Sequence, residues 1–198
     1  MMKFKKLVLI SLLLFATACT QQAETEKLEV IKTPNFIVLE DVKGHPLGKA
    51  FLGHEGIWIT PDHLYEVSKE LFYKGEKILV LARDFDKDLL AFSLEGKTGS
   101  VLELSNTPPD IGKEIYWFDS ESKKSEILNV GAEFEAKSQK KKNLLSFAGV
   151  TVPGASGGVV FDEYGKIWGM IIGADREKRE IFAVRSDNIM RFLKEIEI

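Results

Sequence analysis

The densest chemical signal in the sequence is a serine set among glycines, Gly154-Ala155-Ser156-Gly157-Gly158. Glycines allow the tight turn that exposes a serine Oγ and brings main-chain N–H groups close to a bound group. Acyl transfer needs both features, because the N–H donors stabilise the oxyanion that forms when the hydroxyl attacks a carbonyl. A glycine-rich turn that only joins two strands would have the same composition, so the motif by itself leaves both interpretations open.

The same five residues also satisfy Gly-x-Ser-x-Gly, the pattern of the nucleophile elbow. That motif lies on a strand-to-helix turn and takes its histidine from later in the chain. No histidine follows His63, and residues 159–161 continue as an apolar strand. The elbow interpretation is therefore excluded, and any base must come from upstream of Ser156.

Only three histidines are present, His45, His54 and His63. His45 and His54 lie in glycine-containing turns, where an imidazole is usually solvated. His63 follows an apolar strand and opens a short helical segment, so elements on both sides hold its backbone. A general base needs such a fixed position, and His63 is the candidate.

An acid that orients the imidazole is expected near Asp84, Asp86 and Asp88. Asp88 comes directly before an apolar strand and is the one most easily carried inward, whereas Asp84 and Asp86 are expected in an exposed turn. His63, Asp88 and Ser156 then follow the chain order His, Asp, Ser, one of the known triad orders. The alternative order, with Asp41 or Asp62 before His63, belongs to an α/β class of enzyme.

The elements that must position these side chains are mostly strands. Short apolar, β-branched and aromatic segments, separated by turn residues, predict strands at residues 36–39, 47–52, 57–59, 78–82, 89–94, 101–104, 114–118, 126–135, 144–147, 158–161, 167–172 and 181–183. Two segments, 63–71 and 187–198, have helical periodicity. This pattern predicts an all-β fold. The basic segment 138–143 (SQKKKN) is predicted to be a solvated hairpin tip.

The N-terminal segment has the layout of a secretory signal, with lysines, an apolar run and small residues. Residues 1–18 are predicted to be the signal peptide, and Cys19, the only cysteine, lies where cleavage would occur. Ala16-Thr17-Ala18-Cys19 resembles a bacterial lipobox, which predicts a lipid on Cys19, a tether through residue 32 and an extracytoplasmic, membrane-anchored protein. An ordinary signal with a stray cysteine is the alternative.

Charge excludes one class of partner. Removing residues 1–18 takes away three lysines and no acids, which changes the net charge from −3 to about −6. A general nucleic-acid binder would be basic, so no nucleic-acid partner is expected.

Three segments carry a family resemblance. Residues 48–64 (GKAFLGHEGIWITPDHL) resemble the trypsin-like peptidase segment that ends in Thr-x-x-His, and 88–92 (DLLAF) resemble the corresponding stretch of HtrA/DegP-type protease domains. Residues 154–172 are similar to that family's Gly-x-Ser-Gly-Gly strand pair. Pro61-Asp62 departs from the pattern, since small residues are usual there. No PDZ domain is expected after Ile198.

This resemblance implies two six-stranded antiparallel β-barrels with a C-terminal helix, in a domain of residues 33–198 with lobes of about 33–105 and 106–198. It implies a serine endopeptidase with His63, Asp88 and Ser156 as its triad and a peptide or protein as its substrate. Oxyanion donors would be the N–H groups of Gly154 and Ser156. Substrate contacts would come from Val150, Thr151, Trp168, Gly169, Met170 and Ile171.

Val150 and Thr151 would line the primary pocket, and the strand from Trp168 would pair with the substrate backbone. Because no acid is expected in that pocket, a basic side chain is not the expected preference. No cofactor and no metal are expected, and the oligomeric state is left open. Two alternatives remain: a catalytically silent binding module of the same fold, and a non-enzymatic β-barrel lipoprotein of the envelope.

Overall fold

The computed structural model describes residues 36–97, 99–118, 122–136 and 139–196. All of them belong to one unit of the chain, Pro34–Ile198. The predicted signal peptide, Cys19 and the tether lie outside the described residues. Among the described residues, no helix is both long and apolar enough to span a membrane.

The first sheet is antiparallel and has seven strands, in the order β5-β4-β1-β2-β3-β7-β6. Its strands are β1 Phe36–Glu40, β2 Pro46–His54, β3 Ile57–Thr60, β4 Phe72–Tyr73, β5 Glu76–Lys77, β6 Leu79–Asp84 and β7 Leu89–Ser93. Helix α1, Asp62–Ser68, leaves the end of β3. Apolar side chains of the sheet and of α1 form the core of this lobe, among them Leu39, Leu52, Trp58, Leu64 and Phe92.

The second sheet closes into a six-stranded barrel, in the order β10-β13-β12-β11-β8-β9. Its strands are β8 Glu114–Phe118, β9 Ser122–Ala136, β10 Gln139–Ala148, β11 Val159–Phe161, β12 Ile167–Asp175 and β13 Glu180–Arg185. The barrel interior holds a separate apolar core that includes Ile115, Trp117, Phe147, Ile171 and Ala183. Helix α2, Ser186–Ile196, follows β13.

The predicted all-β class, with two antiparallel sheets and a C-terminal helix, is confirmed. The second sheet is the predicted six-stranded barrel, whereas the first has seven strands rather than six and curls into a half-barrel. The first sheet contains a short hairpin, β4–β5, that the sequence analysis did not predict, because strands of two residues have no periodicity to detect. The predicted strand at 101–104 does not form. Of its residues only Leu104 makes a bridge, a parallel one with Ile167.

The segment between the sheets joins them by backbone hydrogen bonds. Leu102 N–H donates to the carbonyl of Leu52 in the first sheet at 3.1 Å. Ser105 N–H donates to the carbonyl of Ile167 in the barrel at 2.8 Å. Helix α2 returns from the barrel and also contacts β6 and β7 of the first sheet. The two sheets are therefore fixed to each other by the interlobe segment and by the C-terminal helix.

The basic segment 138–143 is not simply a solvated tip. Most of it belongs to β10, and Lys141 is only 8% exposed. Its Nζ donates to the carbonyl of Phe85 in the first lobe and lies 4.4 Å from the centre of the Phe85 ring. Lys141 thus supports a turn of the other sheet.

Candidate active site

His63 owes its position to the junction of β3 and α1. Pro61 holds an extended backbone before the first helical turn, and Asp62 and His63 lie within that turn. Asp62 is 1% exposed and accepts two hydrogen bonds from Arg83, at 2.6 and 2.9 Å. The hydrogen bond to Asp62 raises the pKa of the Arg83 guanidinium. The Pro61-Asp62 departure from the family pattern is therefore a buried anchor for the start of α1.

Both acids of the alternative triad order are engaged elsewhere. Asp62 is bound to Arg83, and Asp41 lies 3.0 Å from the ring of His45. Asp84 accepts a hydrogen bond from the N–H of Lys87 and so stabilises its own turn. Asp88 is left as the acid that reaches His63.

Asp88 is buried, with 3% exposure, and has a left-handed backbone with φ of 59°. Its carboxylate accepts two hydrogen bonds from one residue: His63 N–H donates to Oδ1 at 2.7 Å, and His63 Nδ1 lies 2.7 Å from Oδ2. A carboxylate only accepts, so Nδ1 carries the proton and Nε2 is the lone-pair nitrogen. Asp88 thereby sets both the orientation and the tautomer of His63.

Ser156 completes this arrangement from the second lobe. Its Oγ lies 3.2 Å from His63 Nε2, on the opposite side of the ring from Asp88. The structure therefore brings all three predicted residues into one hydrogen-bonded chain. Such a chain can move a proton from the hydroxyl to the imidazole as the hydroxyl attacks a carbonyl. The catalytic role of the three residues stays a prediction.

Glycines bring the serine turn against the first lobe. Gly157 has φ of 85°, and a Cβ at this position would lie 1.8 Å from the carbonyl oxygen of Lys49. No other residue type fits such a contact. Gly154 has φ of 88° with open space around it, so there the backbone conformation alone favours glycine.

Lys49, on β2, fixes the serine turn at two points. Its Nζ donates to the carbonyl of Gly154 at 2.7 Å, and its backbone N–H donates to the carbonyl of Ser156 at 2.8 Å. Thr60 Oγ in turn donates to the carbonyl of Lys49 at 2.8 Å. The sequence analysis did not identify Lys49, because its contacts join segments about a hundred residues apart.

Backbone hydrogen bonds distinguish the predicted oxyanion donors from their neighbours. The neighbouring N–H groups donate within the described part of the chain: Ala155 N–H to the carbonyl of Val152, Gly157 N–H to that of Ile171 and Gly158 N–H to that of Ala155. The N–H groups of Gly154 and Ser156 donate to no described acceptor. Their role as oxyanion donors stays a prediction.

Comparisons with solved structures match this architecture over most of the chain. The Rv3671c protease from M. tuberculosis, in its active form, superimposes with a TM-score of 0.70 at 14% identity, covering 86% of this chain and 84% of that one. The MamO protease domain from Magnetospirillum magneticum gives 0.65 at 16% identity, covering 80% and 95%. The HtrA-type protease AlgW gives 0.70 at 15% identity, covering 86% and 62%.

The chain has the trypsin-like serine protease fold. The identities are low, so the similarity establishes the fold and leaves the activity to be tested. No protein-family model matches the sequence, and neither does any curated protein.

Beside Ser156, the trypsin-like domain has a pocket of about 190 Å³. Thr151, Ile171 and Ala174 are among the residues that line it. Val150 does not line it and is 47% exposed. Arg176 also lines the pocket. Arg176 was missed because it lies in the turn after β12, 20 residues beyond the serine.

The prediction that residues 168–171 pair with a substrate strand is wrong for this trypsin-like domain. Gly169 pairs with Val160 on one side and with Arg185 on the other, and Met170 is likewise paired on both sides. Trp168 lies between paired positions, and Ile171 is held by β13 and by Gly158. The segment of β12 that extends beyond β11 is Gly173 to Asp175, which is paired to β13 alone among the described strands. A substrate strand would have to add there.

A larger depression of about 660 Å³ is lined by His63 and shares Gly173 and Ala174 with the pocket beside Ser156. Phe134, Lys141 and Ile172 line it together with His63 and Asp88. No group of three or more His, Cys, Asp or Glu side chains within the described ranges is arranged to hold a metal ion.

Proposed function

We propose that the chain is a serine endopeptidase that hydrolyses peptide bonds through an acyl-enzyme. The observation that carries this proposal is the hydrogen-bonded chain from Asp88 through His63 to Ser156, built from both lobes. The fold agrees with it, and so do the two N–H groups at the serine turn that donate to no described acceptor.

In the first half of the proposed reaction, Ser156 Oγ attacks the substrate carbonyl and its proton passes to His63 Nε2. Asp88 holds the Nδ1 proton and stabilises the imidazolium. The N–H groups of Gly154 and Ser156 bind the oxyanion. The intermediate then expels the amine, which takes the proton from His63, and an ester to Ser156 remains.

In the second half, water replaces the amine. His63 removes a proton from the water as its oxygen attacks the ester, and the same donors bind the second oxyanion. Collapse returns the proton to Ser156 Oγ and releases the acid product. The 3.2 Å separation of Nε2 and Oγ is within hydrogen-bond reach for this proton transfer.

The test of this proposal is covalent labelling by a fluorophosphonate, which reacts with an activated serine whatever the substrate preference. The wild-type chain is expected to be labelled at Ser156, and Ser156→Ala to lose both labelling and hydrolysis of a casein substrate. Ser100→Ala, which changes an exposed serine, is the matched control and should behave as wild type. An unlabelled wild-type chain of normal fold would contradict the proposal and favour a silent binding module.

The lipid anchor is part of the same proposal and depends on the sequence alone. A secreted chain acylated at Cys19 would place the protease domain outside the cytoplasm, at a membrane surface. Incorporation of labelled palmitate in a bacterial host is expected for wild type and absent for Cys19→Ala, which should also move to the soluble fraction. Equal membrane association of the two proteins would contradict the anchor and leave the peptidase proposal intact.

A further inference from the structure

The pocket beside Ser156 has two different walls. One wall is the serine turn with Thr151, Pro153 and Gly154, and the other is the end of β12 with Ile171 and Ala174. Because Ser156 and the predicted oxyanion donors line it, the pocket is placed to take the side chain next to a carbonyl that Ser156 attacks. Its volume of about 190 Å³ leaves space for a substrate side chain.

Arg176 is the only charged residue among those that line this pocket. It is exposed, and no described residue forms an ion pair or a hydrogen bond with its side chain. The neighbouring acid, Asp175, is engaged in its own turn, where it accepts hydrogen bonds from the N–H groups of Glu177 and Lys178 and lies 3.3 Å from Lys178 Nζ. Asp175 therefore does not neutralise Arg176.

A second depression adjoins the pocket beside Ser156, and Arg176 lines both. Glu133, Glu135 and Glu177 also line that depression, and their carboxylates are the other groups that compete for Arg176. Glu133 forms an ion pair with Lys140, so its charge is matched. Glu135 and Glu177 are exposed and lie outside the pocket beside Ser156. Among the residues that line that pocket, no carboxylate opposes the positive charge of Arg176.

We propose, on the basis of the peptidase function proposed above, that Arg176 makes this pocket selective for an acidic side chain. A guanidinium binds a carboxylate through two parallel charge-assisted hydrogen bonds, which are stronger than bonds to a neutral amide. Thr151 also lines this pocket and carries a hydroxyl that can donate a hydrogen bond. The substrate class is therefore a peptide cleaved after glutamate or aspartate.

The test compares quenched peptides that differ only in the residue before the cleaved bond: Glu, Gln, Leu and Lys. The Glu peptide is expected to give a kcat/KM at least about tenfold above that of the Gln peptide, its uncharged isostere. This factor corresponds to about 1.4 kcal/mol of additional binding free energy in the transition state. Arg176→Ala should reduce the Glu-to-Gln ratio to about one, and Arg176→Glu should favour Lys. Arg179→Gln removes a positive charge from the same turn outside the pocket, leaves the Asp175–Lys178 pair intact and should keep the wild-type ratio.

A binding measurement separates this inference from the peptidase proposal. Ser156→Ala cannot form an acyl-enzyme, so the anisotropy of labelled peptides ending in Glu or Gln reports the pocket alone. Tighter binding of the Glu peptide that disappears on adding Arg176→Ala supports the inference even where fluorophosphonate labelling fails. Equal affinity for the two peptides, or a preference for Leu that Arg176→Ala leaves unchanged, overturns the inference whether or not Ser156 is reactive.

Discussion

Asp88 combines three constraints in one side chain. It is almost completely buried, it accepts hydrogen bonds from the backbone and the ring of His63, and its backbone has φ of 59°. Asparagine and aspartate tolerate this left-handed conformation better than most other residues. The proposed chemistry therefore requires an acid at this position, and the backbone conformation favours a short polar side chain. Substitution by asparagine and by alanine distinguishes these two requirements.

Asp88→Asn is expected to lower kcat by about 10³ to 10⁴ while keeping the fold. Its amide keeps an acceptor for the His63 N–H, but an NH₂ group facing Nδ1 forces the proton onto Nε2, and the imidazole can no longer act as a base. Hydrolysis rates and thermal unfolding, measured on the same preparation, check this expectation.

Asp88→Ala is the matched comparison. It removes the acceptor from the His63 N–H and places a Cβ-bearing apolar residue at positive φ, so it should lower stability beyond the effect of Asp88→Asn. A fully active Asp88→Asn would contradict the role of Asp88 in setting the tautomer of His63.

Two residues of the candidate site could be identified from the sequence, because a local pattern marks each of them. His63 was found because it is the only histidine held between packed elements, and Ser156 because glycines mark its turn. Lys49 and Arg176 could not be found this way. Each reaches the serine turn from a distant segment, and a contact between segments leaves no periodicity or motif in either one. Trp168 to Met170 were misassigned because a family pattern does not show where β11 ends.

At the scale of elements, strand β2 supports the serine turn through Lys49. The ammonium holds the Gly154 carbonyl, and this fixes the peptide that follows the predicted oxyanion donor. Lys49→Met keeps the chain length and removes the donor. We expect it to lower kcat about tenfold with little change in KM, since substrate binding does not use the ammonium whereas the placement of the oxyanion donors does.

Two further variants make the Lys49 prediction specific. Lys49→Arg keeps a cationic donor and should recover most of the rate. Lys43→Met makes the same charge change on an exposed loop of the same lobe and should have no effect. A rise in KM with unchanged kcat in Lys49→Met would contradict a role in positioning the turn and would indicate a substrate contact instead.

The start of helix α1 depends on the buried pair of Asp62 and Arg83. Arg83→Met leaves the Asp62 carboxylate buried without its partner, and we expect a loss of about 2 kcal/mol in the free energy of unfolding. This is below the value for a fully buried pair because the Arg83 side chain is 38% exposed. Urea denaturation measures the loss, and the double variant with Asp62→Asn should recover part of it.

Element prediction succeeded where a short apolar run lies between turn residues and failed where the position in the fold decides the conformation. The strands around Phe92 and Val160 are such continuous apolar runs, and both form. Residues 101–104 are equally apolar, yet they cross from one sheet to the other and Val101 is 47% exposed. Lys141 was expected at a solvated tip, but its Nζ reaches Phe85 in the other lobe. A sequence pattern does not record such a contact.

At the scale of the whole molecule, the two lobes have separate cores and a shared site. His63 and Asp88 come from the first lobe and Ser156 from the second, so the relative position of the lobes determines the distance from Nε2 to Oγ. Helix α2 is one of the elements that fix this position. It follows the barrel strand β13, and a Cβ on Gly53 of β2 would lie 3.3 Å from its Leu193 Cδ1.

Leu193→Ala is therefore expected to weaken the whole domain rather than one lobe. Leu193 is 5% exposed, and its truncation leaves a cavity that should cost about 3 kcal/mol, or a fall in Tm of about 6–12 °C. Because α2 contacts both sheets, the two lobes should still unfold in one transition. Circular dichroism follows the whole fold, and in the Trp58→Phe background the remaining tryptophans, Trp117 and Trp168, follow the barrel alone.

Lys194→Ala is the control on the exposed side of the same helix and should change stability by less than about 0.5 kcal/mol. Coincident transitions from the two probes, both shifted by Leu193→Ala, are the expected result. The prediction would be contradicted if the barrel still unfolded at the wild-type temperature while circular dichroism showed a second transition at a lower temperature. In that case α2 would stabilise only the first sheet, and the geometry of His63 and Ser156 would depend on the interlobe segment and the contacts of Lys49 instead.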